Sequence, residues 1–230
     1  MTRKIILDTE TTGLDPNAGH RIVEIGCVEL INMIPTGAVF HQYINPERAM
    51  PQEAFAIHGL SSDFLSGHPT FQHIALDFLN FIADDAEIVI HNASFDMKFL
   101  DWEIEKAGHP KIDRSRVVDT LVIARKQNPG GRNSLDALCK RYGINNSHRE
   151  YHGALLDSQL LADVYLYLMG GRQPALTLDE QEIQQTIETL LDHASPVDFE
   201  HRSFLPSDEE IQSHLNLIEK IKNSKWLTYS

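Results

Sequence analysis

The run Lys4-Ile5-Ile6-Leu7-Asp8-Thr9-Glu10-Thr11-Thr12-Gly13 constrains this 230-residue chain more than any other segment. It reads as a short buried strand whose apolar stretch ends in two carboxylates with one residue between them. On a strand, residues i and i+2 point to the same face, so Asp8 and Glu10 are aimed together. Carboxylates held side by side repel each other unless a positive group lies between them. A divalent cation is the candidate that this spacing points to.

The rest of the chain is expected to build an α/β core around that strand. Arg21 to Leu30 and Ala38 to Ile44 read as second and third strands, and the Gly, Pro and Asn turns between the three predict an antiparallel meander. Pro69-Thr70 opens an amphipathic helix through Ile82. Glu87-Ile88-Val89-Ile90 is a buried strand leading into His91-Asn92-Ala93-Ser94-Phe95-Asp96, after which a helix runs to near Gly108. Val117 to Ala124 continues the apolar pattern, and Asn128-Pro129-Gly130-Gly131 marks a loop. Ser134 is expected to cap a helix through Tyr142, and Gly153 to Met169 forms a longer one stopped by Gly170-Gly171. Strands first, then helices alternating with strands, imply a mixed central sheet flanked by helices. Residues 1–171 make up this domain, residues 172–200 a polar linker, and residues 201–230 a helical tail. In the tail, Ile211, Leu215, Leu217, Ile218 and Ile221 form an apolar stripe followed by Trp226 and Leu227. A lone helix of that length is marginal in water, so it packs on the core or docks on a partner.

Composition narrows the function. The two cysteines, Cys27 and Cys139, are too far apart for a redox or zinc motif and read as reduced core residues. The N-terminal apolar run is far short of a signal peptide or membrane span, so a cytoplasmic protein without membrane association is expected. A net charge of −13 argues against gripping nucleic acid by bulk electrostatics. Lys111 to Arg149 is the one basic stretch, with nine Lys or Arg against three Asp. It is either a nucleic-acid contact or a solvated helical surface. The segment from 171 to 230, with five basic and eleven acidic residues, is not expected to touch nucleic acid.

Two further elements carry chemistry. Asp96 follows a buried strand, where the chain reverses at the sheet end. His152-Gly153-Ala154-Leu155-Leu156-Asp157 sets a His and an Asp five residues apart at a helix entrance. That spacing is not a same-face helical one, so His152 is expected ahead of the helix on a movable loop, with Asp157 projecting from the first turns. The division suits phosphodiester hydrolysis: two hard cations, Mg²⁺ or Mn²⁺, held rigidly by carboxylates, and an imidazole free to take and release a proton. Asp119, after an apolar strand, is a rival acid read as supportive. His91 and His148 are alternative bases, read as surface or strand-end residues.

The D-T-E-T-T-G start, H-N-x-x-F-D at 91 to 96 and H-x-A-x-x-D at 152 to 157, in that order, resemble the DEDDh (DnaQ-like) 3′→5′ exonucleases, whose fold is ribonuclease H-like. The resemblance implies that Asp8, Glu10, Asp96 and Asp157 hold two Mg²⁺ or Mn²⁺ ions and that His152 activates the attacking water. It also implies that Thr11, Ile57 and His58 line the pocket for the 3′-terminal nucleotide, beside Asn92 and Phe95, with Asp8, Glu10 and Asp157 also facing the substrate. The stretch from Arg132 to Gly171 is similar to family members that proofread for a replicative DNA polymerase. In those members a segment at the position of Gln173-Pro174-Ala175-Leu176-Thr177-Leu178 binds the sliding clamp, although Leu178 departs from the aromatic common there. A tail such as Ser207 to Trp226 anchors them on the polymerase. The expected activity is therefore removal of mispaired 3′ ends presented as single-stranded DNA. The alternatives are an RNA-trimming exonuclease or a structural subunit of a polymerase assembly.

Overall fold

A computed structural model describes residues 2–83, 85–146, 151–170 and 205–221. The chain divides into two compact units, Met1–Ala175 and Leu176–Ser230. In the first unit, β1 (Arg3–Thr11), β2 (Ile22–Ile31), β3 (Ile34–Tyr43), β4 (Glu87–Ile90) and β5 (Val117–Asp119) form one sheet in the order β3-β2-β1-β4-β5. β2 is antiparallel to both β1 and β3, whereas β4 and β5 run parallel to β1. The meander and the mixed sheet expected from the sequence are both present.

β3 begins at Ile34, four residues before the expected start, and the reason is local. Asn32 and Met33 both take left-handed backbone conformations, with φ of 50° and 68°, and close a two-residue hairpin that pairs Ile31 with Ile34. The first half of β3 is exposed, so no alternation of buried and polar residues marks it.

Helices cover both faces. On one, α3 (Phe71–Ile82) and α4 (Ala93–Lys106) pack against Ile5, Leu7, Ile25 and Ile88 through Phe71, Phe78, Phe99 and Leu100. On the other, α7 (Ala154–Leu168) lays Leu161 and Tyr165 over Ile6, Leu30 and Val89. Odd residues of β1 thus face α4 and even residues face α7, which sets where Asp8, Thr9 and Glu10 point. Each fully buried Ile, Leu or Phe side chain contributes ~1.5–3 kcal/mol.

The short helices α1 (Gln52–His58) and α2 (Ser62–Ser66) follow β3, while α5 (Thr120–Gln127) and α6 (Leu135–Tyr142) follow β5. Ser134 caps α6, its Oγ accepting from the Ala137 N–H. Much of the basic stretch serves structure: Arg116 donates to the carbonyls of Ile82 and Ala86, Arg114 pairs with Asp101 at 2.6 Å, and Arg141 donates to the Arg132 carbonyl.

In the second unit the described element is α8 (Asp208–Lys220), opened by a capping box between Ser207 and Glu210. Ile211, Leu215, Leu217 and Ile221 are exposed and Ile218 is buried. The linker, including Gln173–Leu178, and Trp226 and Leu227 lie outside the described residues. No described helix is long and apolar enough to cross a membrane.

Candidate active site

Three elements deliver the acids to one end of the sheet. β1 carries Asp8 and Glu10 on its α7-facing side, each partly buried. Asp96 occupies the first turn of α4 and Asp157 the first turn of α7. At both places the unpaired N–H groups of a helix start favour negative charge. The helix bearing Asp96 begins at Ala93, inside the segment that the sequence places ahead of it. Asn92 adopts a left-handed conformation, with φ of 64°, and turns the chain from β4 into the helix.

Glu10, His152 and Asp157 converge, each offering a ligand atom within 4.8 Å of the others'. The His152 Nδ1 lies 3.4 Å from the Asp157 Oδ2. Asp157 is buried, whereas the His152 side chain is 47 % exposed on the loop before α7. Asp8 and Asp96 fall outside that compact group, yet both adjoin it. Asp8 is two residues back from Glu10 on the same strand face, and Thr9 between them donates from Oγ1 to the Asp96 Oδ1 at 2.7 Å. Burial pushes the Asp96 carboxyl up to about 7, against the hydrogen bonds from Thr9 and the backbone, and the charge of Asp119 adds to the rise. A fold that buries one carboxyl until it resists ionisation, beside further acids and a histidine, is suited to a hard divalent cation, which takes oxygen donors and tolerates one imidazole.

Two residues that sequence reasoning passed over hold this geometry. Gly26 pairs with Asp8 across β1 and β2. A Cβ there would meet the Leu155 nitrogen at 2.2 Å, so only glycine lets the first turn of α7 rest on the strand. The Ser158 Oγ then donates to the Gly26 carbonyl at 2.8 Å. An isolated glycine inside an apolar strand was the available signal, since it marks close backbone approach. Thr9 is the other; a polar residue at an inward-facing strand position needs a buried partner.

Asp119 caps α5. Its Oδ1 accepts from the N–H groups of Leu121 and Asn92 at 2.9 and 3.2 Å, and its Oδ2 from that of Ala93 at 3.1 Å. These bonds fix the turn that leads to Asp96. The His91 Nδ1 sits 2.9 Å from the Thr120 Oγ1, and burial holds its pKa below the usual histidine value. His148 lies outside the described residues.

Beside the acids opens a largely apolar cavity of about 680 Å³, lined among others by Glu10, Thr11, Ile57, His58 and Phe95. Asn92 lies instead on a neighbouring, smaller depression with His91 and Arg125. His58 is buried, and its Nδ1 accepts from the Leu60 N–H at 3.0 Å, so the proton of the neutral ring is on Nε2. Burial keeps His58 below the ordinary histidine pKa, and the neighbouring His152 acts in the same direction.

The mixed five-stranded sheet flanked by helices is the ribonuclease H-like fold that solved exonucleases share, here with the acids at one end and a cavity beside them. The family model described as "Exonuclease" matches residues 5–165, and the chain belongs to that family. It is 50% identical over 224 residues to the DNA polymerase III subunit epsilon of Rickettsia typhi, covering 95% of this chain and 96% of that protein. It is 46% identical over 235 residues to the protein of the same name from Escherichia coli, covering 96% and 95% of the two chains. Among solved structures, Exonuclease X in complex with 5′ overhanging duplex DNA matches with a TM-score of 0.57 at 27% identity, covering 74% of this chain and 92% of that one. The nuclease domain of 3′hExo, a DEDDh family member, shares the fold with a TM-score of 0.64 at 17% identity, over 74% of this chain and 92% of that one.

Proposed function

We propose that this chain is a 3′→5′ exodeoxyribonuclease that removes mispaired 3′-terminal nucleotides, as the proofreading subunit of a replicative DNA polymerase. The observation that carries the reading is the meeting of Glu10, His152 and Asp157 at the edge of an apolar cavity wide enough for a nucleotide. Asp8, Glu10, Asp96 and Asp157 are the residues that would hold two Mg²⁺ or Mn²⁺ ions. When bound, the ions supply charge neutralisation at the phosphate and acidify the attacking water.

His152 takes the proton from that water. Its partly exposed imidazole can accept a proton and pass it to solvent. Thr11, Ile57, His58 and Phe95 seat the terminal nucleotide, and Asn92 contacts the substrate beside Asp96. The cavity accepts a single, unstacked end, so a mismatched terminus that frays more often is cut more often.

In this reading, residues 1–171 are the exonuclease domain, 172–200 a linker in which Gln173–Leu178 binds the sliding clamp, and 201–230 the tail that docks on the polymerase alpha subunit. The exposed apolar side chains of α8 support the docking assignment. Tethering raises the local concentration of the enzyme at the primer end, so an acidic protein needs little DNA affinity of its own. The test is Mg²⁺-dependent release of 5′-mononucleotides from matched single-stranded DNA and RNA oligonucleotides. DNA cleavage should dominate and vanish in Asp8→Ala and Asp157→Ala; full activity in either variant rejects the site. Deleting residues 200–230 should abolish capture by the alpha subunit and leave mononucleotide release intact.

A further inference from the structure

The loop that carries His152 is fastened to the wall of the nucleotide cavity. The His152 backbone N–H donates to the Ile57 carbonyl at 3.0 Å, at the C-terminal end of α1. One residue earlier in the chain, the Tyr151 ring lies flat over Gly59, the residue that ends α1. A Cβ on Gly59 would sit 3.2–3.4 Å from three atoms of that ring, and the backbone there is left-handed, with φ of +71°. The left-handed helix stop favours glycine at this position, and a Cβ there would also crowd the ring above it. Ile57 and His58, on either side of the bonded carbonyl, line the cavity.

Tyr151 is more than half exposed, so its contact with Gly59 is not core packing. Burying one face of an aromatic ring on a helix end is a local clamp. It adds to the backbone hydrogen bond from His152 to Ile57, worth ~0.5–1.5 kcal/mol net, and to the approach of the His152 ring to Asp157. A misplacement of ~1 Å in a reacting group can cost ~10²-fold in rate.

We propose that Tyr151 is a positioning residue that clamps the base loop onto α1, so that the helix end lining the nucleotide cavity also sets where the His152 imidazole stands. This rests on the reading of His152 as the base and of the cavity as the seat of the terminal nucleotide. The ring face does the work and the hydroxyl does not, because the side-chain atoms nearest the Cβ position of Gly59 are ring carbons.

The full-length chain with Mg²⁺ and a single-stranded oligodeoxynucleotide provides the test. Tyr151→Ala should lower kcat ~10–100-fold with KM within ~3-fold, since binding is kept and placement lost. Tyr151→Phe should restore the rate. Gly59→Ala, pushing a methyl group into the same ring, should reproduce the Tyr151→Ala defect. In the His152→Ala background, Tyr151→Ala should cause no further loss. A raised KM with unchanged kcat would make Tyr151 a nucleotide contact and overturn the proposal, as would a Phe variant as impaired as Ala or independent losses in the double variant. Hydrogen exchange at the His152 amide reads the clamp without chemistry: Tyr151→Ala should speed it, and an unchanged rate overturns the clamp. Faster exchange alongside a fully active His152→Ala would leave the clamp standing and reject the base assignment instead.

Discussion

Asp96 and Glu103 sit seven residues apart on the same face of α4, equally buried, and the fold treats them in opposite ways. Glu103 receives a two-pronged ion pair from Arg21, with Nε to Oε1 at 2.6 Å and Nη2 to Oε2 at 2.9 Å, and Arg21 also stacks on Trp102. Asp96 receives one hydroxyl, from Thr9, and among the described residues no lysine or arginine pairs with it. The first acid is neutralised by the protein and serves the fold. Burial raises the pKa of the second to about 7, as befits an acid whose counter-charge would come from outside the protein.

The largest expected effect breaks the comparison at the site end. Asp96→Ala should cut Mg²⁺-dependent nucleotide release by ~10³-fold or more, the scale of losing an electrostatic stabiliser of the transition state. Chemical denaturation of the metal-free variant should show stability equal to or above that of the parent, because a poorly solvated acid has gone. Glu103→Ala should do the reverse. It leaves the buried Arg21 with only the more distant Glu47 carboxylate, 3.7 Å away, and should cost up to ~3–5 kcal/mol in denaturant titrations. Mononucleotide release by the fraction that stays folded at low temperature should remain near that of the parent.

Smaller changes sharpen the contrast. Thr9→Val removes the one hydroxyl that Asp96 has, and should weaken metal affinity or activity ~10–100-fold, as losses behind a ligand do. Calorimetric titration with Mn²⁺ checks it. The smallest effect is a pH signature. In the metal-free fold Asp96 titrates at about 7, against an ordinary value of 3.8. Between those values the native state binds the extra proton, so this group makes stability fall as pH rises across the window and contributes no further change above it. The melting temperature of the metal-free protein should drop by a few degrees from pH 5 to 8, at ~2–4 °C per kcal/mol for a domain this size. Added Mg²⁺ should stabilise more at pH 8 than at pH 5, and a Thr9→Val variant should extend the fall to higher pH.

Much of this arrangement was legible in the chain. Apolar runs at Ile5–Leu7 and Ile88–Ile90 mark strands because both faces of the sheet centre are buried, and Asp8 and Glu10 inherit a common face from the two-residue period. The division between a rigid Asp157 and an exposed His152 followed from a spacing that no helix face accommodates. The start of β3 was hidden, since an exposed edge strand carries no burial pattern. Asn92 beginning α4 early was hidden as well, since a left-handed residue before a helix is a decision of the surrounding turn, here held by the Asp119 carboxylate.

Residue order alone singled out the candidate groups for the chemistry, because strand and helix periodicities and motif spacing are properties of a few consecutive residues. Tertiary structure decided how those groups meet: that Thr9 reaches Asp96, that Gly26 admits α7 beside Asp8, and that Tyr151 rests on Gly59. Those contacts join residues from about 90 to more than 120 positions apart. Nothing in local propensity encodes them, since they exist only once the sheet has closed and its two helical layers have packed.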